Sequence, residues 1–235
     1  MLLTSRFSRI RPAARRFSLS IIGCVLVIDL IWLPFSALRF SSVNVAVIAA
    51  IAAMFLLAGP IQKRYEFSAA ARHLAVELYV LVLFVACGFV FSYLAIESGW
   101  SVRDELFVAI DHALGFDWET YTLFVLKNDL LRTTTLILYV VTPPLVIFTL
   151  SWSCLKGNFN RASEMVAMVI LGGALCVVIS GIVPSAGGAG YFPVDSSFYG
   201  GHTVVFDNSN KIEFFQLRNR VGLEISLLQP LALIA

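Results

Sequence analysis

Charge is scarce in this sequence. Asp, Glu, Lys and Arg make up 14% of its 235 residues, against roughly 25% in soluble globular domains, which excludes an ordinary water-soluble fold. Histidine is nearly absent, with only His73, His112 and His202. Cys24, Cys87, Cys154 and Cys176 are widely separated, so neither a metal site nor a disulfide framework is indicated. Each lies in or at the end of an apolar stretch, where a thiol serves as a small buried or lipid-facing side chain. Gly187-Gly188-Ala189-Gly190 lacks the Gly-Lys-Ser/Thr ending of a phosphate-binding loop, and no zinc motif or nucleophile elbow occurs. The net charge of +2 carries no electrostatic footprint for a nucleic-acid partner.

What the chain has instead is apolar length. Hydrophobic residues reach 59%, and five stretches approach the roughly 20 residues that a spanning helix needs. They run about 19–38, 43–60, 74–96, 132–155 and 165–184, while 222–235 is too short to cross unaided. The expected fold is therefore all-α: a polytopic membrane helical bundle of about five spanning helices, with interfacial helices and a partial C-terminal segment. Residues 1–18 form a basic N-terminal stretch, 19–184 the membrane domain and 185–235 an external loop with that last segment. The first apolar run is too long for a signal-peptide core, and Ala37-Leu38-Arg39 is a poor cleavage site, so it reads as a retained helix.

Basic residues set the expected orientation. Arg6, Arg9, Arg11, Arg15 and Arg16, then Lys63, Arg64 and Arg72, then Lys156 and Arg161 all fall on one side, which the positive-inside rule makes cytoplasmic. The acid-rich connection after the third span and the glycine-rich loop Pro184-Ser-Ala-Gly-Gly-Ala-Gly-Tyr-Phe-Pro193 then lie outside. A bacterial-type inner membrane is the expected location.

Within the long connection, Leu106, Phe107, Ile110, Ala113 and Leu114 recur at helical spacing opposite Asp104, Glu105 and Asp111, the pattern of an amphipathic helix lying in the interface. Gly115 interrupts it, and Trp118, Tyr121 and Val125 share a face of a second short run.

A few polar residues stand out against this background. Asp29 falls mid-span, where a charge costs on the order of 3 kcal/mol, and reads as a protonated or hydrogen-bonded side chain in the bundle. Glu77 and His73 fall in the first turn of the third span and read as interfacial, within reach of water. Pro143-Pro144 removes two backbone donors from the fourth span, with Thr142 and Ser151 able to satisfy freed carbonyls. His112 and His202 each lack the partners of an acid–base site. Arg218 and Arg220 can offer guanidinium forks to a phosphate.

Three stretches, in order, resemble the inositol-phosphorylceramide synthase-like branch of the type 2 phosphatidic acid phosphatase superfamily. They are Ile110-Asp-His-Ala-Leu-Gly-Phe-Asp-Trp118, Gly181-Ile-Val-Pro-Ser-Ala-Gly-Gly-Ala-Gly-Tyr-Phe192 and Phe214-Phe-Gln-Leu-Arg-Asn219. The resemblance implies an integral enzyme acting on lipid-linked phosphate through a phosphohistidine, with no metal and no cofactor, and with membrane lipids as its partners. It makes Arg218 and Tyr191 the candidates for contact with a lipid-phosphate substrate. It assigns no catalytic residue here, because Pro184-Ser-Ala-Gly replaces Pro-Ser-x-His and no His-x-x-x-Asp element follows. The branch continues past Leu227-Leu-Gln229 into its first catalytic histidine motif, whereas this sequence reads Pro230-Leu-Ala-Leu-Ile-Ala235 and stops. The expectation is an N-terminal part, interrupted before the catalytic histidines and inactive as given. The alternative, resting on Asp29 and the proline-bearing span, is a self-contained helical membrane protein such as a small transporter component or assembly partner.

Overall fold

The computed structural model describes residues 13–40, 68–98, 100–192, 214–220 and 224–225. Its helices are α1 (Ala13–Trp32), α2 (Ala69–Glu97), α3 (Asp104–Ala113), α4 (Trp118–Lys127), α5 (Asp129–Leu155), α6 (Phe159–Ile182) and the single turn α7 (Gly188–Tyr191). A 3-10 turn, Leu33–Phe35, extends α1. Among the described residues, α1 with that turn, α2, α5 and α6 are long and apolar enough to cross a bilayer. The expected span Val43–Pro60 lies outside the described residues.

The helices begin earlier than the apolar runs do. Among the described residues α1 takes in Arg15 and Arg16 ahead of its apolar run, because these long side chains can direct their charges away from hydrocarbon while their stems stay helical. α2 starts at Ala69, where the Ser68 side chain accepts a hydrogen bond from the Ala71 N–H at 3.2 Å. α5 starts at Asp129, its first amides held by Asn128 Oδ1, which accepts from Leu130 and Leu131. Both are side-chain caps of the usual N-terminal kind. α6 ends at Ile182, two residues before Pro184, since the residue preceding a proline is driven from helical geometry.

Three helices run parallel as the heart of the bundle. Arg15 of α1 meets Glu77 of α2 at one end, while Ala37, just beyond α1, meets Glu97 of α2 at the other. Ser163 of α6 bonds Glu77, and Gly181 of α6 lies against Ala95 of α2. α1 buries one stripe, Ser18, Ile22, Val25 and Asp29, at the spacing of a single helix face. Ile22, Val25, Val80, Phe84, Val166 and Ile170 form the core between the three. Gly173 allows the closest approach, because a Cβ there would stand 2.8 Å from the Phe84 ring, and small residues at such seams bring membrane helices together.

α5 lies at the side of this trio and continues through Pro143 and Pro144. The Thr142 hydroxyl donates to the Leu138 carbonyl at 2.6 Å and Ser151 to Ile147 at 2.8 Å. Neither acceptor is among the carbonyls of Tyr139 and Val140 that the prolines free. Each hydroxyl bonds four residues back on its own turn, so the expected repair does not occur there.

Asp29 is buried, and its Oδ1 has no hydrogen-bond partner among the described residues. The four cysteines are free, Cys87 and Cys154 buried and Cys24 and Cys176 exposed. One minor element departs from an all-helical chain: β1 (Arg39–Phe40) pairs in parallel with β2 (Glu224–Ile225), tying the tail of α1 to the C-terminal region.

Glu77 overturns its expected setting. It is fully buried rather than open to water, because Arg15 and Ser163 donate to its Oε1 at 2.5 and 2.6 Å. His73 joins the same group, 3.3 Å from Glu77 Oε1 and 3.1 Å from the Phe159 carbonyl. Only the inclusion of Arg15 in α1 makes this burial possible, since an unpaired buried carboxylate is costly.

Candidate functional site

At the end of the bundle opposite the Arg15–Glu77 pair, α6 gives way to the glycine-rich loop, and α3 and α4 close over it. The backbone N–H of Arg103 donates to the Pro184 carbonyl at 2.9 Å, bringing the start of α3 onto the loop. Asp104 completes the junction. Its Oδ1 accepts from the Ser185 hydroxyl at 2.5 Å and from the Ala186 N–H at 3.0 Å, and its Oδ2 lies 3.2 Å from the same N–H. Ser185 Oγ in turn accepts from the Gly187 N–H at 3.0 Å.

The amphipathic pattern puts Asp104 on the polar face of an interfacial helix, but the residue is buried. Hydrogen bonds from the loop replace the water that its carboxylate gives up. No local signal marks this role, because its partners come 81 and 82 positions later. The junction also bears on anion binding. A glycine-rich turn ahead of a helix resembles a phosphate cradle, yet two of its amides, those of Ala186 and Gly187, are already taken by Asp104 and Ser185.

A second contact holds the far side of the loop. Gly187 adopts φ 73°, a conformation that favours glycine, and turns the chain into α7. Gly188 lies so close to Trp118 at the start of α4 that a Cβ would fall inside the indole. Trp118 stacks on Phe192, with ring centroids 5.3 Å apart and planes 6° apart. Asp117 caps α4 by accepting from the Thr120 N–H at 2.6 Å. That bond holds the Asp117 carboxyl below its ordinary value.

Arg218 approaches from residues 214–218, a short helical turn. Leu217 is buried with Phe89 and Tyr93 of α2, which anchors the turn on the same end of the bundle. The Arg218 guanidinium donates through one NH2 nitrogen to the Trp100 carbonyl and lies 5.6 Å from the Phe214 ring centroid. Its other terminal nitrogen is buried without a partner among the described residues. Burial lowers the Arg218 pKa and the charge of Asp104 opposes that change, yet a guanidinium stays protonated throughout.

The remaining candidates are placed as follows. Tyr191 is exposed on α7, edge-on to Phe192 at 5.1 Å. Arg220, with φ 54°, is the one non-glycine residue with positive φ among the described residues, and its Nε stands 3.7 Å from Glu97 Oε1. His112 is exposed in the last turn of α3, about 12 Å along that helix from Asp104 at 1.5 Å per residue. His73 belongs to the opposite end of the bundle, and His202 lies outside the described residues. The loop end thus gathers an acid, a hydroxyl, aromatic faces and a guanidinium with a bare donor. That assembly can bind and orient an anion, and it holds no described imidazole as nucleophile.

These features define a helical membrane protein with a polar, arginine-bearing cluster at one end of its bundle. Residues 105–218 match the family model described as PAP2 superfamily, a stretch just under half of the chain, and the match supports that superfamily. No curated protein and no solved structure matches the chain. The matched stretch opens beside Asp104 and closes at Arg218, two residues that the fold brings to the same end of the molecule.

Proposed function

We propose that this chain acts on lipid-linked phosphate at the loop end of its bundle, as a member of the phosphotransferase branch that its Asp111-to-Trp118 and Gly181-to-Phe192 motifs resemble. Arg218 is the phosphate contact, since one guanidinium nitrogen, without a partner among the described residues, is a desolvated donor, and charge-assisted bonds of this kind are the stronger ones. Tyr191 lines the approach, with an exposed ring to lie along the glycerol or acyl part of a lipid. Asp104 and Trp118 position the loop between these two residues.

The observation that carries this reading is convergence. Asp104 just ahead of the family match, Ser185–Ala186 within it and Arg218 at its close are gathered at one end of the bundle, although Asp104 and Arg218 are 114 positions apart in the chain. The orientation that serves it has the N-terminus in the cytoplasm and the glycine-rich loop outside, in a bacterial-type inner membrane. Arg16, Arg72, Lys156 and Arg161 are exposed near the ends of α1, α2, α5 and α6 that gather around Glu77, in keeping with positive-inside placement.

The 235-residue chain is proposed to bind a lipid phosphate without turning it over, because none of its three histidines stands in a Pro-Ser-x-His or His-x-x-x-Asp setting. The test pairs two assays on the purified chain in detergent. Binding of short-chain phosphatidic acid should exceed that of the matching diacylglycerol, and phosphate release should stay at background. Equal binding of the two lipids would contradict the phosphate assignment, and turnover would contradict the proposed inactivity.

A further inference from the structure

The loop-end cluster makes no use of the ionisable group at the other end of the bundle, where His73 stands among Arg15, Glu77 and Ser163. Its Nε2 lies 3.1 Å from the Phe159 carbonyl and 3.3 Å from both the Ser163 hydroxyl and Glu77 Oε1. All three are oxygens able to accept, so the neutral ring that fits here carries its proton on Nε2. Nδ1 is then the nitrogen left to take a second proton, and its neighbour is a cation. One terminal nitrogen of Arg15 stands 3.2 Å from Nδ1 and 3.3 Å from Nε2, while it also donates to Glu77 Oε1. A neutral imidazole can receive such a donor through its lone pair or its ring face. An imidazolium cannot, because it has only donors and carries the same charge.

Water reaches the ring, since 14% of the His73 side chain is exposed while none of Glu77 is. The charged and titratable groups around it, among the described residues, are few. α1 contributes Arg15, α2 contributes Glu77 four residues on, and α6 contributes the Ser163 hydroxyl and the Phe159 carbonyl. The Cys154 thiol of α5 stands against Glu77 and Arg15, and a thiol, with an ordinary value of about 8.5, is uncharged below neutrality. With His73 neutral, Arg15 and Glu77 balance. One added proton leaves a surplus positive charge, and two cations then compete for one carboxylate. His73 has the settled position, because it shares a helix with Glu77 at i,i+4 spacing and its ring packs on Phe159 at 4.7 Å between centroids. Arg15 sits in the first turn of α1, with 18% of its side chain already exposed.

We propose that His73 works as a proton-operated latch on α1. Nδ1 takes a proton from water, the imidazolium pairs with Glu77 on its own helix, and Arg15 leaves both the ring and the carboxylate for solvent. An ion pair between helices is thereby exchanged for one within α2. Glu77 stays matched, while the first turns of α1 lose their tie to α2 and α6. The latch is closed above the ordinary histidine range, about 6.5, and opens as pH falls through it; histidine protonation shifts interfaces in this way in other pH sensors. The device is independent of what the loop end binds.

The full chain in detergent is followed by amide hydrogen exchange from pH 7.5 to 5.5, with rates corrected for the intrinsic effect of pH. Opening at the amides of residues 17–20 is expected to rise roughly tenfold, the most that one proton with an ordinary value of about 6.5 can shift an equilibrium across that range. Amides of residues 80–90 should stay constant. Slow exchange at the imidazole C2 hydrogen, read by mass spectrometry in the same samples, follows the titration of His73 itself, and its midpoint should coincide with the opening of α1. His73→Gln keeps a donor and an acceptor without a charge and should stay closed throughout. Arg15→Met leaves no cation to displace, so acid should produce no further opening. Exchange at residues 17–20 that is indifferent to pH would overturn the proposal, as would a midpoint separate from that of His73; neither reading needs a variant. Acid-driven opening that persists in His73→Gln or in Arg15→Met would overturn it as well.

Discussion

Arg15 and Glu77 meet at 2.5 Å across the seam of α1 and α2, with the glutamate side chain wholly buried. The two residues are 62 positions apart, so their contact fixes the register of two parallel helices at one end of the bundle. Ser163 adds a third helix to the same oxygen, while Glu77 Oε2 has no partner among the described residues. The node is held by one cation, and its loss leaves a buried charge.

Arg15→Ala is therefore expected to cost about 3–5 kcal/mol, the usual penalty for breaking a buried ion pair by removing one partner. Replacing both, as Arg15→Met with Glu77→Leu, should recover most of that loss, because no charge then remains buried. Thermal or denaturant unfolding in a fixed detergent checks this. A single variant no less stable than the double variant would argue against the node.

The contact between Gly188 and Trp118 leads to a second expectation. Gly188→Ala places a methyl inside the indole, and overpacking of this kind costs about 1–3 kcal/mol. Trp118→Ala removes the obstacle, so the two changes together should destabilise by less than the sum of their separate effects. A double-mutant cycle on unfolding free energies measures that coupling directly; simple additivity would mean that the loop does not rest on Trp118.

Asp104 is expected to govern how tightly the glycine-rich loop is held. Asp104→Ala removes the acceptor of the Ser185 hydroxyl and the Ala186 amide, bonds to a charged group worth about 1.5–3 kcal/mol each. Hydrogen exchange at the amides of residues 185–187 should accelerate in this variant while that of α2 is unchanged. Asp104→Asn keeps an acceptor oxygen and should fall between the two.

Acid should loosen α4 at its start. The Asp117 carboxyl is held below its ordinary value by the Thr120 amide bond, so the folded state favours the ionised form. That contribution is complete above the unfolded value, about 3.9 for aspartate, and disappears as pH falls through the lower folded value. Exchange protection of the Thr120 amide should decline across that acidic window. In Asp117→Asn the decline should be absent, because the cap no longer titrates.

Apolar length made the long helices legible, and Gly115 between two periodic runs marked α3 and α4 as separate. Those signals are local. Helices reach beyond their apolar runs because Arg15 and Asp129 are polar yet helical, and hydropathy sees only the apolar part of a helix. Contacts between distant positions left no local trace. Asp104 reads as one more acid on an amphipathic helix until Ser185 arrives from 81 positions away, and Glu77 reads as water-facing until Arg15 is placed in α1. Arg218 was recognised through a short motif, but its bare nitrogen and its nearness to Asp104 required the fold.

The most direct test of the lipid-phosphate account is the affinity of dioctanoyl phosphatidic acid for the purified chain, compared with Arg218→Ala and Arg218→Lys. The account expects Arg218→Ala to weaken binding by roughly tenfold or more, the loss of a charge-assisted bond. Arg218→Lys should recover only part of it, since a lysine lacks the planar fork, and thermal stability should be little changed by the lysine. Undiminished phosphatidic acid binding in Arg218→Ala, with the chain still folded, would contradict it.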